Sequence, residues 1–154
     1  MQVADLLTPE SVIPALRATS KKQALQDLAK RAAEITGLSE RAVFDVLLER
    51  ERLGTTGVGR GIAIPHGKFT GIDRIHGMFA RLERPIDFEA IDDRPVDLIF
   101  LLLAPQSAGA DHLKALARVS RLLRDNAVCD KLRAARGADA MYALLTSEPA
   151  THAA

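Results

Sequence analysis

The segment Gly57-Val-Gly-Arg-Gly-Ile-Ala-Ile-Pro-His-Gly-Lys68 holds the densest set of residues in this chain that could do chemistry. Its glycines invite a nucleotide-binding interpretation. A phosphate-wrapping P-loop reads G-x-x-x-x-G-K-[ST], so that backbone amides cradle the phosphates and a hydroxyl meets magnesium. Here Gly61 and Gly67 enclose one residue too many, and Lys68 precedes Phe69 in place of a hydroxyl. A dinucleotide fingerprint follows a strand and opens a helix as G-x-G-x-x-G. These glycines instead run G-x-G-x-G into a β-like stretch, Ile62-Ala63-Ile64. Neither motif fits. The four histidines are scattered and there is one cysteine, with no H-x-x-x-H or C-x-x-C pair, so no metal site is expected. No G-x-S-x-G elbow suggests a hydrolase. What remains is His66, between Pro65, which stiffens the approach, and Gly67, which puts no side chain in the way of an incoming group. A neutral imidazole is a nucleophile near pH 7 without a strong base to activate it, which suits reversible phosphoryl transfer. A loop histidine with no role satisfies the same residues, and the segment alone leaves both open.

The elements that must position this segment are readable from pattern. Val12 to Leu16 reads as an edge strand, because Pro14 has no N–H to give a central ladder. Ser20 and Gln23 form a capping box ahead of Leu25, Leu28, Ala32 and Ile35 at helical spacing, and Gly37 supplies a left-handed stop. Ser39 caps a second helix whose Val43, Val46, Leu47 and Leu53 should face inward until Gly54. The glycine-rich loop, a brief strand at Ile62 to Ile64 and another loop after Pro65 come next. Ile75 to Leu82 and Val96 to Ala104 read as strands, the latter continuously apolar and so buried on both faces. His112 to Arg124 reads as a helix with Leu113, Leu116, Val119 and Leu123 inward and Lys114, Arg118 and Arg121 in water. Two shorter helices, Asn126 to Ala135 and Asp139 to Leu145, follow. The fold class is α/β: one domain over residues 1–147, a small mixed sheet flanked by helices on both sides, with 148–154 as a flexible tail.

Composition sets bounds. The 154 residues are 47% hydrophobic and 27% charged, enough for one self-sufficient core without staples. The net charge of +1 and 4% aromatics, with no Trp, give neither the field nor the stacking platforms of a nucleic-acid binder. No nucleic acid is expected as a partner. The longest apolar run, Leu98 to Ala104, falls far short of the ~20 residues a membrane helix needs, so no membrane insertion is expected. The single cysteine, Cys129, and the absence of a signal-like start make the cytoplasm the expected location.

The string G-x-G-x-G-I-A-I-P-H-G-K resembles the phosphorylation site of the enzyme IIA components of the bacterial phosphotransferase system, in the fructose/mannitol superfamily, and within it most closely the nitrogen-regulatory IIA proteins. The likeness continues through Arg94-Pro95-Val96-Asp97-Leu98-Ile99-Phe100, His112-Leu113 and Leu132-Arg133-Ala134-Ala135, covering essentially residues 5–147. It implies a mannitol/fructose-type IIA fold. It also implies that His66 accepts a phosphoryl group through Nε2, that His112 is the second site histidine, and that Arg50 is the phosphoryl-stabilising cation. Arg60, Gly67 and Lys68 are weaker candidates for contact with phosphate or partner. The implied protein is a phosphotransferase component without a cofactor. It takes phosphate from an HPr-like donor of the nitrogen type. Its phosphorylation state then regulates nitrogen, carbon or potassium metabolism through targets such as kinases or potassium transport systems. Two other functions share these residues: a stand-alone sugar-specific IIA feeding a IIB partner, and a regulatory binding module that is never phosphorylated.

Taken without the resemblance, several of these residues have plain explanations. Arg50 sits in Glu49-Arg50-Glu51-Arg52, the kind of charge run that usually forms a solvated face. His112 could simply cap a helix. Asp92-Asp93 suits a turn, Cys129 a buried apolar site, and His76 and His152 receive no role.

Overall fold

In chain order the elements are β1 (Val12–Leu16), α1 (Lys21–Thr36), α2 (Glu40–Arg52), β2 (Gly57–Gly59), β3 (Ile62–Ala63), β4 (His66–Phe69), β5 (His76–Ile86), β6 (Val96–Pro105), α3 (Ala110–Leu123), α4 (Asn126–Ala134) and α5 (Ala138–Thr146), after two 3-10 turns at Val3–Asp5 and Pro9–Ser11. The structure, a computed structural model, describes residues 1–147; the tail expected over 148–154 lies outside the described residues. The six strands form one mixed sheet in the order β1-β5-β6-β3-β2, with β4 also pairing on β6. Helices cover both faces, as the α/β pattern predicts. α1 and α2 pack on one face, and α3, α4 and α5 pack on the other.

The apolar run expected to be a doubly covered strand is the spine of the molecule. Every residue from Leu98 to Ala104 is completely buried. Ile99, Leu101 and Leu103 point to the α1/α2 side, while Leu98, Phe100, Leu102 and Ala104 point to the α3–α5 side. Burying each such Leu, Ile or Phe is worth ~1.5–3 kcal/mol, so this strand fixes where everything else docks. Pro14 lies in β1 at the sheet edge, as its missing N–H requires, and its carbonyl accepts from Arg81 Nε at 3.1 Å.

The expected helix caps are present, but the capping box at Ser20 is not reciprocal, because Gln23 Oε1 accepts from the Thr19 amide and hydroxyl at 3.0 Å each and not from the Ser20 amide. Ser20 Oγ accepts from the Gln23 amide at 3.1 Å, Ser39 Oγ from the Ala42 amide at 3.2 Å, and Gly37 closes α1 at φ 79°. Four further expectations need correction. Two strands, β2 and β4, form where loops were expected. β5 runs on from Leu82 to Ile86 through a register shift. Leu53 is 86% exposed because α2 ends before it and the chain turns away at Gly54. Leu113 is 68% exposed because the buried stripe of α3 is His112, Ala115, Val119 and Leu123, which rotates Leu113 into solvent and brings a histidine in.

Candidate functional site

His66 opens β4. β3 and β4 pair with β6 in one continuous register, Ile62 with Leu98, Ala63 with Ile99 and then His66 with Leu102, so they are two pieces of one strand line. Ile64 and Pro65 make the break. Pro65 has no N–H to give, although its carbonyl still accepts from the Leu102 amide at 3.0 Å. The Ile64 N–H points away from β6 and donates to the Thr56 carbonyl at 3.0 Å. Its own carbonyl meets His66. Nδ1 of His66 lies 2.9 Å from that oxygen, and a carbonyl can only accept, so Nδ1 carries the proton and Nε2 keeps a bare lone pair. The ring is half-buried and faces the α3 side of the sheet, the side of Leu102.

On that side waits His112, in the first turn of α3. The two ring centroids are 5.5 Å apart and the planes are tilted by 53°. His112 is only 6% exposed, and its Nδ1 is buried with no hydrogen-bond partner among the described residues. α3 begins at Gly109 without a side-chain cap, so the N–H groups and positive dipole end of the helix lie at the His112 end. Burial holds both histidines below the ordinary imidazole range. For His66 the Ile64 carbonyl and the Glu51 carboxylate push back upward, while Arg50 adds to the depression. For His112 the neighbouring His66 and Lys68 charges lower it further. Both rings are therefore neutral at pH 7.

The other residues singled out from the sequence fall into two groups. Arg50 and Lys68 lie close enough to bias the histidine pair electrostatically, and Lys68 shares the His66 side of β4. Arg50 also donates from Nη1 to the Gly54 carbonyl at 2.9 Å, closing the end of α2. Gly67 and Arg60 are used differently. Gly67 is buried on the opposite face, where a Cβ would lie 2.6 Å from Val46 Cγ1. Its missing side chain lets α2 approach the strand; it does not clear a path to His66. Arg60, at φ 59°, turns its guanidinium onto the carboxyl end of α3, donating to the carbonyls of Leu123 and Arg124 at 3.1 Å each and to Asn126 Oδ1 at 2.9 Å.

One residue that pattern did not flag is Glu51. Glu49 and Arg52 on either side of it in the run are exposed, but Glu51 is buried and paired with Lys21 Nζ at 3.0 Å. Among the described residues no helix is long and apolar enough to cross a membrane.

With this geometry in view, the relatives of the chain are informative. The family described as "Phosphoenolpyruvate-dependent sugar phosphotransferase system, EIIA 2" matches residues 5–148. The chain is 63% identical over 153 residues to a nitrogen regulatory protein of Bradyrhizobium diazoefficiens, covering 99% of this chain and 100% of that one. The crystal structure of nitrogen regulatory protein IIA-Ntr from Neisseria meningitidis superposes with a TM-score of 0.89 at 33% identity, covering 94% of this chain and 99% of that one. IIA mannitol from Escherichia coli shares the fold, with a TM-score of 0.76 at 22% identity over 90% of this chain and 98% of that one. The match runs nearly end to end at both levels, so this chain belongs to the EIIA 2 family of the phosphoenolpyruvate-dependent sugar phosphotransferase system.

Proposed function

We propose that this protein is a cytoplasmic phosphocarrier that accepts a phosphoryl group on His66 Nε2 from a phosphohistidine on a small HPr-like protein, and that its phosphorylation state regulates nitrogen, carbon or potassium metabolism. The observation that carries the proposal is the 2.9 Å bond between His66 Nδ1 and the Ile64 carbonyl, which leaves Nε2 bare beside a second neutral histidine. In the transfer, the phosphorus–nitrogen bond on the donor breaks as the Nε2 lone pair of His66 forms the new one, and the donor imidazole leaves neutral or takes a proton from water. Such a transition state is loose and spreads charge over the equatorial oxygens, so catalysis consists of in-line placement and nearby donors.

The residues at hand fit those needs. Burying a bare lone pair is easier than burying an unpaired N–H, so the hidden Nδ1 of His112 favours the tautomer with its proton on Nε2. That proton can be donated to a phosphoryl oxygen. Arg50 contributes fixed positive charge, and the uncapped start of α3 contributes amides. Glu51 is engaged by Lys21 and Thr56, which removes it as a water-activating base, so a transferable phosphate suits the site better than hydrolysis. The regulatory role is supported by the 63% identical relative, named a nitrogen regulatory protein.

Incubation with a phosphorylated HPr-like donor should add one phosphoryl group that is lost in acid and survives alkali, and His66→Ala should abolish it. Phosphorus NMR should place the group on Nε2. An acid-stable label, or a label retained in His66→Ala, would overturn the phosphohistidine proposal, and no label at all would favour the unphosphorylated binding module. Efficient discharge onto a IIB domain with sugar uptake would make it a sugar-specific IIA instead.

A further inference from the structure

Glu51 and His66 are joined by an unbroken chain of hydrogen bonds. Lys21, whose side chain is 15% exposed and whose Nζ lies 4.8 Å from the Phe88 ring centre, holds Glu51 Oε1 at 3.0 Å. The same oxygen accepts from the Thr56 amide at 2.9 Å, and Oε2 accepts from the Thr56 hydroxyl. The Thr56 carbonyl accepts from the Ile64 amide at 3.0 Å, and the Ile64 carbonyl accepts from His66 Nδ1 at 2.9 Å. Ile64 is thus gripped from its amide side by Thr56, while Pro65 stiffens the peptide that carries its carbonyl.

A buried carboxylate is costly unless it is paired and hydrogen-bonded, and Glu51 is both. Its two oxygens accept both Thr56 donors, the amide and the hydroxyl, while Lys21 neutralises the charge. A carbonyl that decides a histidine tautomer is itself useful only if it cannot swing away, since the two neutral tautomers of a free imidazole are close in energy. We propose that Glu51 is a positioning residue for phosphoryl acceptance: held by Lys21, its carboxylate anchors Thr56, and through the Thr56–Ile64 backbone bond it fixes the carbonyl that keeps the proton on His66 Nδ1 and the lone pair on Nε2. This assignment rests on His66 being the acceptor. It gives the glycine-rich segment between Gly57 and Gly61 a purpose other than phosphate binding, because those residues form the turn that brings Thr56 and Ile64 together.

The test is long-range proton–nitrogen NMR of the His66 ring in the full-length protein, with single-turnover transfer from a phosphorylated HPr-like donor measured in parallel. The wild type should show the Nδ1–H tautomer. Glu51→Gln keeps the shape but loses the charge that holds Lys21. It should populate the other tautomer and slow the first-order transfer step by roughly tenfold, as loss of a group orienting a working histidine does. The donor concentration giving half-maximal rate should stay unchanged. Glu51→Asp should recover part of the rate. Thr56→Val, which deletes only the hydroxyl bond, should shift the tautomer in the same direction by less, and it serves as the decisive variant if Glu51→Gln does not fold. A Glu51→Gln protein with lowered melting temperature but an unchanged tautomer and transfer step would make Glu51 purely structural and overturn the proposal, as would a wild type carrying its proton on Nε2. A wild type that never labels would sink the phosphocarrier proposal, and the tautomer comparison would still decide whether Glu51 orients His66.

Discussion

The rings of His66 and His112 face each other across 5.5 Å, and the first has its Nδ1 satisfied while the second has its Nδ1 buried and unpartnered among the described residues. The two histidines therefore do not do the same thing. A ring anchored through one nitrogen and open at the other fits the acceptor role proposed for His66. A ring whose Nδ1 is buried without a protein partner suits the supporting role proposed for His112.

That asymmetry predicts a trade between stability and transfer at position 112. His112→Leu replaces a buried imidazole lacking a partner by an apolar group of similar volume, so it should leave folding stability unchanged or raise it by ~1 kcal/mol. Acceptance of phosphate by His66 should slow by roughly 10²-fold, the lower end of the range for loss of a positioned donor. Thermal melts and single-turnover transfer check both halves. A less stable protein with unimpaired transfer would make His112 a core histidine. Complete loss of label with the fold intact would make it the acceptor.

Arg50 is positioned to act through charge more than through packing. Arg50→Ala should slow acceptance by roughly 10²-fold or somewhat less, because the residue is only half-buried and solvent screens it. The change also removes a charge that depresses His66, so the His66 midpoint in an NMR titration should rise. The bond from Arg50 to the Gly54 carbonyl predicts a small loss of stability, so rates should be compared at equal distance from the melting temperature. An unmoved titration together with an unchanged rate would return Arg50 to a solvated helix face.

Arg60 should respond in the opposite sense. Its guanidinium supplies donors to the last carbonyls of α3, which otherwise have no intrahelical partner, and Arg133 Nη2 holds the Arg60 carbonyl at 3.0 Å while its guanidinium pairs with Asp97 at 2.8 and 3.0 Å. Arg60→Ala is expected to lower stability by ~1 kcal/mol and to change transfer much less than Arg50→Ala. A urea titration beside the same transfer assay separates the two. Slower transfer at unaltered stability would show that the side chain leaves α3 to meet phosphate or donor.

The contrast between these residues shows what a sequence can and cannot expose. The caps at Ser20 and Ser39, the left-handed Gly37 and the doubly buried Leu98 to Ala104 depend on local spacing, and they form as read. β4 does not announce itself, because His66-Gly67-Lys68-Phe69 lacks alternation and β-branched residues; it is a strand because β6 offers it an edge in register. Glu51 is hidden for a similar reason. Its burial follows from the chain turning back to set both Thr56 donors on it and from Lys21 arriving from another helix, which a charge run cannot reveal. Gly67 is misleading in a different way. Adjacent to His66 in sequence, it projects to the far side of the sheet, since neighbours on a strand point in opposite directions.

The histidines also set the response to pH, and the sign follows from their surroundings. His66, His76 and His112 are each held below their ordinary value of 6.5, with burial the leading cause in every case. The unfolded chain takes up protons on these groups first as pH falls, so it binds more protons than the folded chain in the window from about 6.5 downward to the folded values. Stability is thus fully present above 6.5 and declines on acidification through that window. Transfer behaves differently, because it needs His66 neutral and His66 titrates in the fold, below 6.5. The transfer rate should hold level as pH is lowered to about 6.5 and fall only beneath it, after stability has begun to decline. Urea midpoints and alkali-quenched single-turnover rates, taken over the same pH series, test the order of the two losses. His66→Ala should flatten the stability curve, since it removes one of the depressed groups. A rate that drops above 6.5, or a protein that grows more stable as the histidines protonate, would mean that the His66–His112 pair is stabilised in its charged form and that a bare Nε2 is not the resting state.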